Sequence, residues 1–173
     1  MIEKPRSASD YSPEYVRYIK RTLLHMAAVL EEHLAFQDRI KIAVEGLMPD
    51  GYRAIRKIWV CGPGAFIILK ALAFGLRDAP KDAYDLYFVI RNFGEGVKDV
   101  YKHLSPLMSD PKTKTAIDIL RRHFSEPAFR GPAMVSQFLY RGLVTEVQAE
   151  VAGFVRELLS LCEPGKKEID RTR

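Results

Sequence analysis

The chain has 173 residues, 47% of them hydrophobic and 28% charged, enough for one domain with a real core. That balance excludes a low-complexity or collagen-like chain, and a net charge of +5 is compatible with nucleotide or nucleic-acid partners without demanding them. Lys70 and Arg77 interrupt the best apolar run, so no membrane span is expected.

The N-terminus, MIEKPRSASDYS, is polar and lacks the apolar centre of a signal peptide, and the expected location is cytoplasmic. Residues 1–11 read as a disordered lead-in, 12–162 as a single domain and 163–173 as a flexible tail. Ser12-Pro13-Glu14 is a helix start, with a hydroxyl cap, proline at the first helical position and an acid in the first turn. Tyr15, Ile19, Leu23, Met26, Leu30 and Leu34 then recur at helical spacing, which predicts a helix ending near His33 to Ala35.

From Arg39 the period changes. Ile40, Ile42 and Val44 alternate with other residues, Pro49-Asp50-Gly51 marks a turn, and Tyr52 to Val60 is rich in β-branched and aromatic residues. This predicts an antiparallel hairpin. An isolated hairpin is marginal in water, so it is expected to pack on the apolar helix that follows Cys61-Gly62-Pro63-Gly64.

That helix carries Phe66, Ile67, Ile68, Leu69, Leu72, Phe74 and Leu76 around almost its whole circumference, as buried helices do. Lys70 and Arg77 interrupt it from one face. A second helix is predicted from Pro80, with Asp82 and Asp85 three residues apart and Lys81 beside them. Several charges thus lie in the most hydrophobic part of the chain. Burying them costs several kcal/mol each unless they pair, and Lys70, Arg77, Asp82 and Asp85 are expected to form one network.

Gly94 and Gly96 end the second helix. Short helices are predicted over Val97 to Leu107, from Asp110-Pro111 to Phe124 and from Pro132 to Tyr140, with a long amphipathic one from Val144 to Cys162. The fold class is α+β: an N-terminal helix, a small antiparallel hairpin and a C-terminal helical bundle.

Other chemistry finds little support. Cys61 and Cys162 form no Cys-x-x-Cys pair, and the four histidines show no metal-binding spacing. His25 and His33 share a helix face at most, and no serine sits in a nucleophile elbow. Gly62-Pro63-Gly64 reads as a strand-to-helix turn more readily than as a phosphate cradle. Tyr11 and Tyr18 beside Arg17, Lys20 and Arg21 read as a helix surface laced with charge more readily than as an RNA- or DNA-binding face, and Arg121-Arg122 and Lys166-Lys167 as solvated charge.

The central pattern of a Gly-Pro loop, an apolar helix containing LKALA with a following Arg77, and then KDAYDLYFVIRNFG resembles the AbiEii/AbiGii-type nucleotidyltransferases. These are bacterial proteins of the DNA-polymerase-β-like superfamily, many of them toxins in toxin–antitoxin and phage-defence pairs. The resemblance covers Arg39 to about Cys162, together with the first helix. It implies a nucleoside triphosphate and Mg²⁺ as cofactors, with Lys70, Arg77 and Lys81 binding the nucleotide. Asp82 and Asp85 would be the late catalytic carboxylates, and an antitoxin or an RNA acceptor the partner.

The chain departs from that family at a decisive place. The superfamily needs a Gly-Gly or Gly-Ser turn and then an Asp-x-Asp pair on a strand, which holds the metal. Here no Gly-Gly or Gly-Ser occurs, and the one acid-x-acid sequence is Glu168-Ile169-Asp170 in the charged tail. No metal ligand is therefore assigned. The expectation is a nucleotidyltransferase-like chain that is weak or inactive alone. The alternatives are a non-enzymatic module binding an antitoxin or a full-length relative, or one half of a split enzyme. The undersized sheet should leave open strand edges that invite self-association or another chain.

Overall fold

The computed structural model describes residues 32–77 and 79–163. The chain divides into two compact units at His33/Leu34, and nearly all the described residues belong to the second. The lead-in, most of the first predicted helix and the charged tail lie outside the described residues, as do His25, Tyr11, Tyr18 and the Glu168-Ile169-Asp170 sequence.

The fold is α+β, a two-stranded antiparallel sheet followed by a helical bundle. Helix α1 (Glu32–Gln37) ends slightly beyond the expected boundary and leads through Asp38 into β1 (Arg39–Leu47). β2 (Arg53–Cys61) returns alongside it, with Arg39 opposite Cys61 and Leu47 opposite Arg53. The turn closes through the Gly51 N–H donating to Met48 O at 2.8 Å, with Gly51 at φ 85°.

The expected packing of this hairpin on the following helix is not found. Among the described residues neither strand packs extensively on a helix, and most residues of both are exposed; Leu47 is 74% and Ile55 64% accessible. The reason lies in the helix itself. The apolar surface of α2 (Pro63–Leu76) is already taken by other helices: Ala65, Ile67, Ile68, Ala71 and Phe74 are essentially inaccessible. They face α3 (Pro80–Asn92), α4 (Val97–Leu104) and α5 (Pro111–Phe124), which leaves no surface for the strands.

A single 3₁₀ turn, Ser105–Leu107, follows α4 where one longer helix was expected. α5 begins as the sequence predicts, with the Asp110 carboxylate accepting from the Lys112 N–H at 2.7 Å and proline in the first turn. α6 (Arg130–Tyr140) starts before the expected Pro132, and α7 (Thr145–Cys162) closes the bundle. Phe74 and Phe124, the largest fully buried side chains among the described residues, pack together with ring centroids 4.8 Å apart. Gly64 lets the start of α2 approach the end of α4 closely, because a Cβ there would strike the His103 carbonyl. Among the described residues no helix is long and apolar enough to cross a membrane.

Candidate functional site

All five singled-out charged residues come together where α2 ends and α3 begins. Pro80 starts α3, so Asp82 falls in its first turn and Asp85 one turn further on, both turned towards α2. Lys70 projects from the middle of α2 and donates to Asp82 Oδ1 at 3.0 Å and to Asp85 Oδ2 at 2.7 Å. Arg77, the residue that ends α2, grips the same Asp82 in a bidentate fork: Nε donates to Oδ2 at 2.7 Å and Nη2 to Oδ1 at 3.0 Å. Lys81 closes the set on Asp85 at 2.8 Å.

Burial decides which members matter most. The Asp82 side chain is 2% exposed and that of Asp85 14%, against 23% for Lys70, 51% for Arg77 and 70% for Lys81. Burial by itself would raise the Asp82 carboxyl. The hydrogen bonds from Arg77 and Lys70 outweigh it and hold the group below its ordinary 3.8. Asp85 is likewise lowered, with burial opposed by Lys70 and then Lys81. Lys70 is raised above 10.5, its partial desolvation being overcome by Asp85 and Asp82. Lys70, Asp82 and Asp85 are thus held in their charged forms.

Mg²⁺ does not fit this donor set. Both oxygens of Asp82 and both of Asp85 already accept from an ammonium or guanidinium group. A divalent ion there would have to displace those cations, and Mg²⁺ needs open oxygen ligands in near-octahedral array. The strands offer no substitute, since their one carboxylate, Glu45, pairs with Arg53 at 2.9 Å. Among the described residues no group of three or more His, Cys, Asp or Glu side chains converges.

Beside the network lies an open groove of ≈ 240 Å³, lined by Phe66, Tyr84, Asp85, Phe88 and Val89. Lys70 Nζ stands 5.6 Å from the Phe66 ring centroid, and Phe138 of α6 stacks on Tyr84 at 4.8 Å. The groove is apolar apart from Asp85, and its exposed Phe88 leaves it open to solvent.

A second polar cluster, around Asp38, is invisible in the sequence. The buried Asp38 carboxylate accepts from the Ala65 N–H at 2.9 Å in the first turn of α2, and its other oxygen pairs with His103 Nδ1 at 2.6 Å. Its backbone carbonyl accepts from the Gly62 N–H at 2.6 Å. The start of α2 therefore already holds an anion, and Gly62-Pro63-Gly64 is a strand-to-helix turn. Only the identity of Asp38 just ahead of a strand hinted at this; its partners lie 27 and 65 residues away. Nearby Cys61 is pushed up to about 11 by burial and then by the Asp38 charge, so its thiol is protonated at neutral pH and not an activated nucleophile. Cys61 and Cys162 are both free.

Compared with protein-family models, with curated proteins and with solved structures, the chain matches none.

Proposed function

We propose that the chain is a nucleotidyltransferase-like protein of the AbiEii toxin type that works as a binding module and not as a self-sufficient catalyst. One observation carries this reading: all four carboxylate oxygens of Asp82 and Asp85 are taken up by Lys70, Arg77 and Lys81. Phosphoryl transfer relies on positioning and on metal-assisted charge neutralisation. A closed set of ion pairs supplies a rigid, charged joint between α2 and α3 but leaves no carboxylate open for a metal. The nucleotide would then be a ligand at most, bound by the outward-facing Lys81 and Arg77 with Lys70 behind them.

The test is to incubate the purified chain with each nucleoside triphosphate and Mg²⁺, following pyrophosphate release, and to titrate the same nucleotides by calorimetry. The expected result is no turnover. Pyrophosphate release that Lys70→Met abolishes, with the fold intact, would overturn the reading.

The hairpin favours a second form of the same idea, a split enzyme. Ile40, Ile42 and Val44 of β1 share a face with Ile58 and Val60 of β2, and among the described residues no helix packs extensively on it. Both strands also have an open backbone edge. A second polypeptide bringing the glycine turn and the Asp-x-Asp strand could pair with such an edge and restore a metal site. Metal-dependent transfer by a mixture of two chains, each inert alone, is the outcome that supports it.

A further inference from the structure

The other face of the hairpin has a different chemistry. The register places Arg39, Lys41, Ala43, Glu45 and Leu47 of β1 opposite Cys61, Trp59, Lys57, Ile55 and Arg53 of β2, all on one face. The hairpin as a whole carries five cations, Arg39, Lys41, Arg53, Arg56 and Lys57, against the carboxylates of Glu45 and Asp50. Four of the cations lie on this face, and Glu45 occupies only Arg53. Arg39, Lys41 and Lys57 are exposed and, among the described residues, paired with no carboxylate.

Trp59 is the aromatic centre of this face. It is 55% exposed, with the Arg39 guanidinium 4.7 Å and the Lys41 ammonium 5.2 Å from its ring centroid. These charges do not tie the strands to the described helices, because among the described residues the strands pack extensively on none of them.

We propose that this basic face is a binding site for single-stranded nucleic acid, with Trp59 as the stacking platform for a base and Arg39, Lys41 and Lys57 as the phosphate contacts. A cationic surface that tracks the backbone, combined with an exposed aromatic ring, is the arrangement by which proteins hold single strands independently of sequence. Arg39 and Lys41 lie over the indole ring, so a stacking base takes the place of one of them, and the displaced cation turns to the adjoining phosphate. A duplex keeps its base faces stacked on one another and offers the indole nothing. Side chains two apart on a strand stand about 7 Å apart, so the cations form a row along the ribbon. The site is separate from the network of Lys70, Asp82 and Asp85 and does not depend on its role.

Trp59 is the chain's single tryptophan, which makes its fluorescence a direct reporter. The experiment titrates the full chain with oligouridylate and oligothymidylate, following tryptophan quenching, and repeats the titration over a salt series. Saturable quenching by either strand is expected, with the logarithm of affinity falling with the logarithm of salt at a slope of about −2, for three phosphate contacts. The double variant Lys41→Gln, Lys57→Gln should reduce that slope by about 1.4. Trp59→Ala, followed by the anisotropy of a labelled strand, should weaken binding about tenfold. All variants should keep the helical circular dichroism of the parent, because the substituted residues are exposed.

An absence of quenching and of anisotropy change at low salt would overturn the proposal. So would a preference for duplex over single strands. Affinity unchanged in the variants would assign the cations a different task, guarding open strand edges against aggregation.

Discussion

Arg77 and Asp82 form a bidentate ion pair across the connection between α2 and α3, with Nε–Oδ2 at 2.7 Å and Nη2–Oδ1 at 3.0 Å. The guanidinium is half exposed while the carboxylate is sealed, and Lys70 reaches the same carboxylate from inside the bundle. Asp82 is therefore the member whose removal strands the most charge.

Asp82→Ala leaves Lys70 and Arg77 without their shared partner and is expected to destabilise the protein by about 3 kcal/mol. Asp85→Asn should cost less, about 1 kcal/mol, because its Lys81 partner is largely solvated. Urea unfolding of the two variants checks the order. Equal losses, or none, would sink the idea of a single network centred on Asp82.

The network also sets an acid limit. Asp82 and Asp85 have folded pKa values below the ordinary 3.8, so the unfolded chain binds their protons first as pH falls. Their contribution is complete above that value and is lost as pH drops through the lower folded values. The melting temperature should fall on acidification below about pH 4, and Asp82→Asn should flatten that fall. An identical acid slope in the variant would contradict this.

Gly64→Ala places a methyl group against the His103 carbonyl and the neighbouring backbone, which have no flexible side chain to move aside. It should force α2 away from α4 and cost about 2 kcal/mol. A thermal melt decides it, and an unchanged midpoint would mean that this contact yields easily.

Asp38→Ala removes the acceptor of the Ala65 N–H and the partner of His103 together. A loss of about 2 kcal/mol is expected, with faster hydrogen exchange at Ala65. In the parent protein the hairpin amides should exchange much faster than those of α2, since the strands bury little apolar surface. Comparable protection in strands and helices would show that the hairpin is covered in solution.

The sequence by itself determined the α+β class, the hairpin with its turn, the start of α3 at Pro80 and that of α5 at Asp110-Pro111. These follow from local rules: alternation in strands, helical spacing, and the missing N–H of proline. It also pointed to Lys70, Arg77, Asp82 and Asp85 pairing with one another, because spacing put each like-charged pair on one face and charge in an apolar setting has to be neutralised. What covers an amphipathic strand is not a local property. The alternating pattern of Ile40, Ile42 and Val44 shows that one face is apolar without showing what lies against it. Only the tertiary structure decided that α2 spends its apolar surface on α3, α4 and α5 and leaves none of it for the hairpin. The same holds for Asp38, whose role depends on His103, 65 residues further on, brought beside it by the packing of α4 against the start of α2.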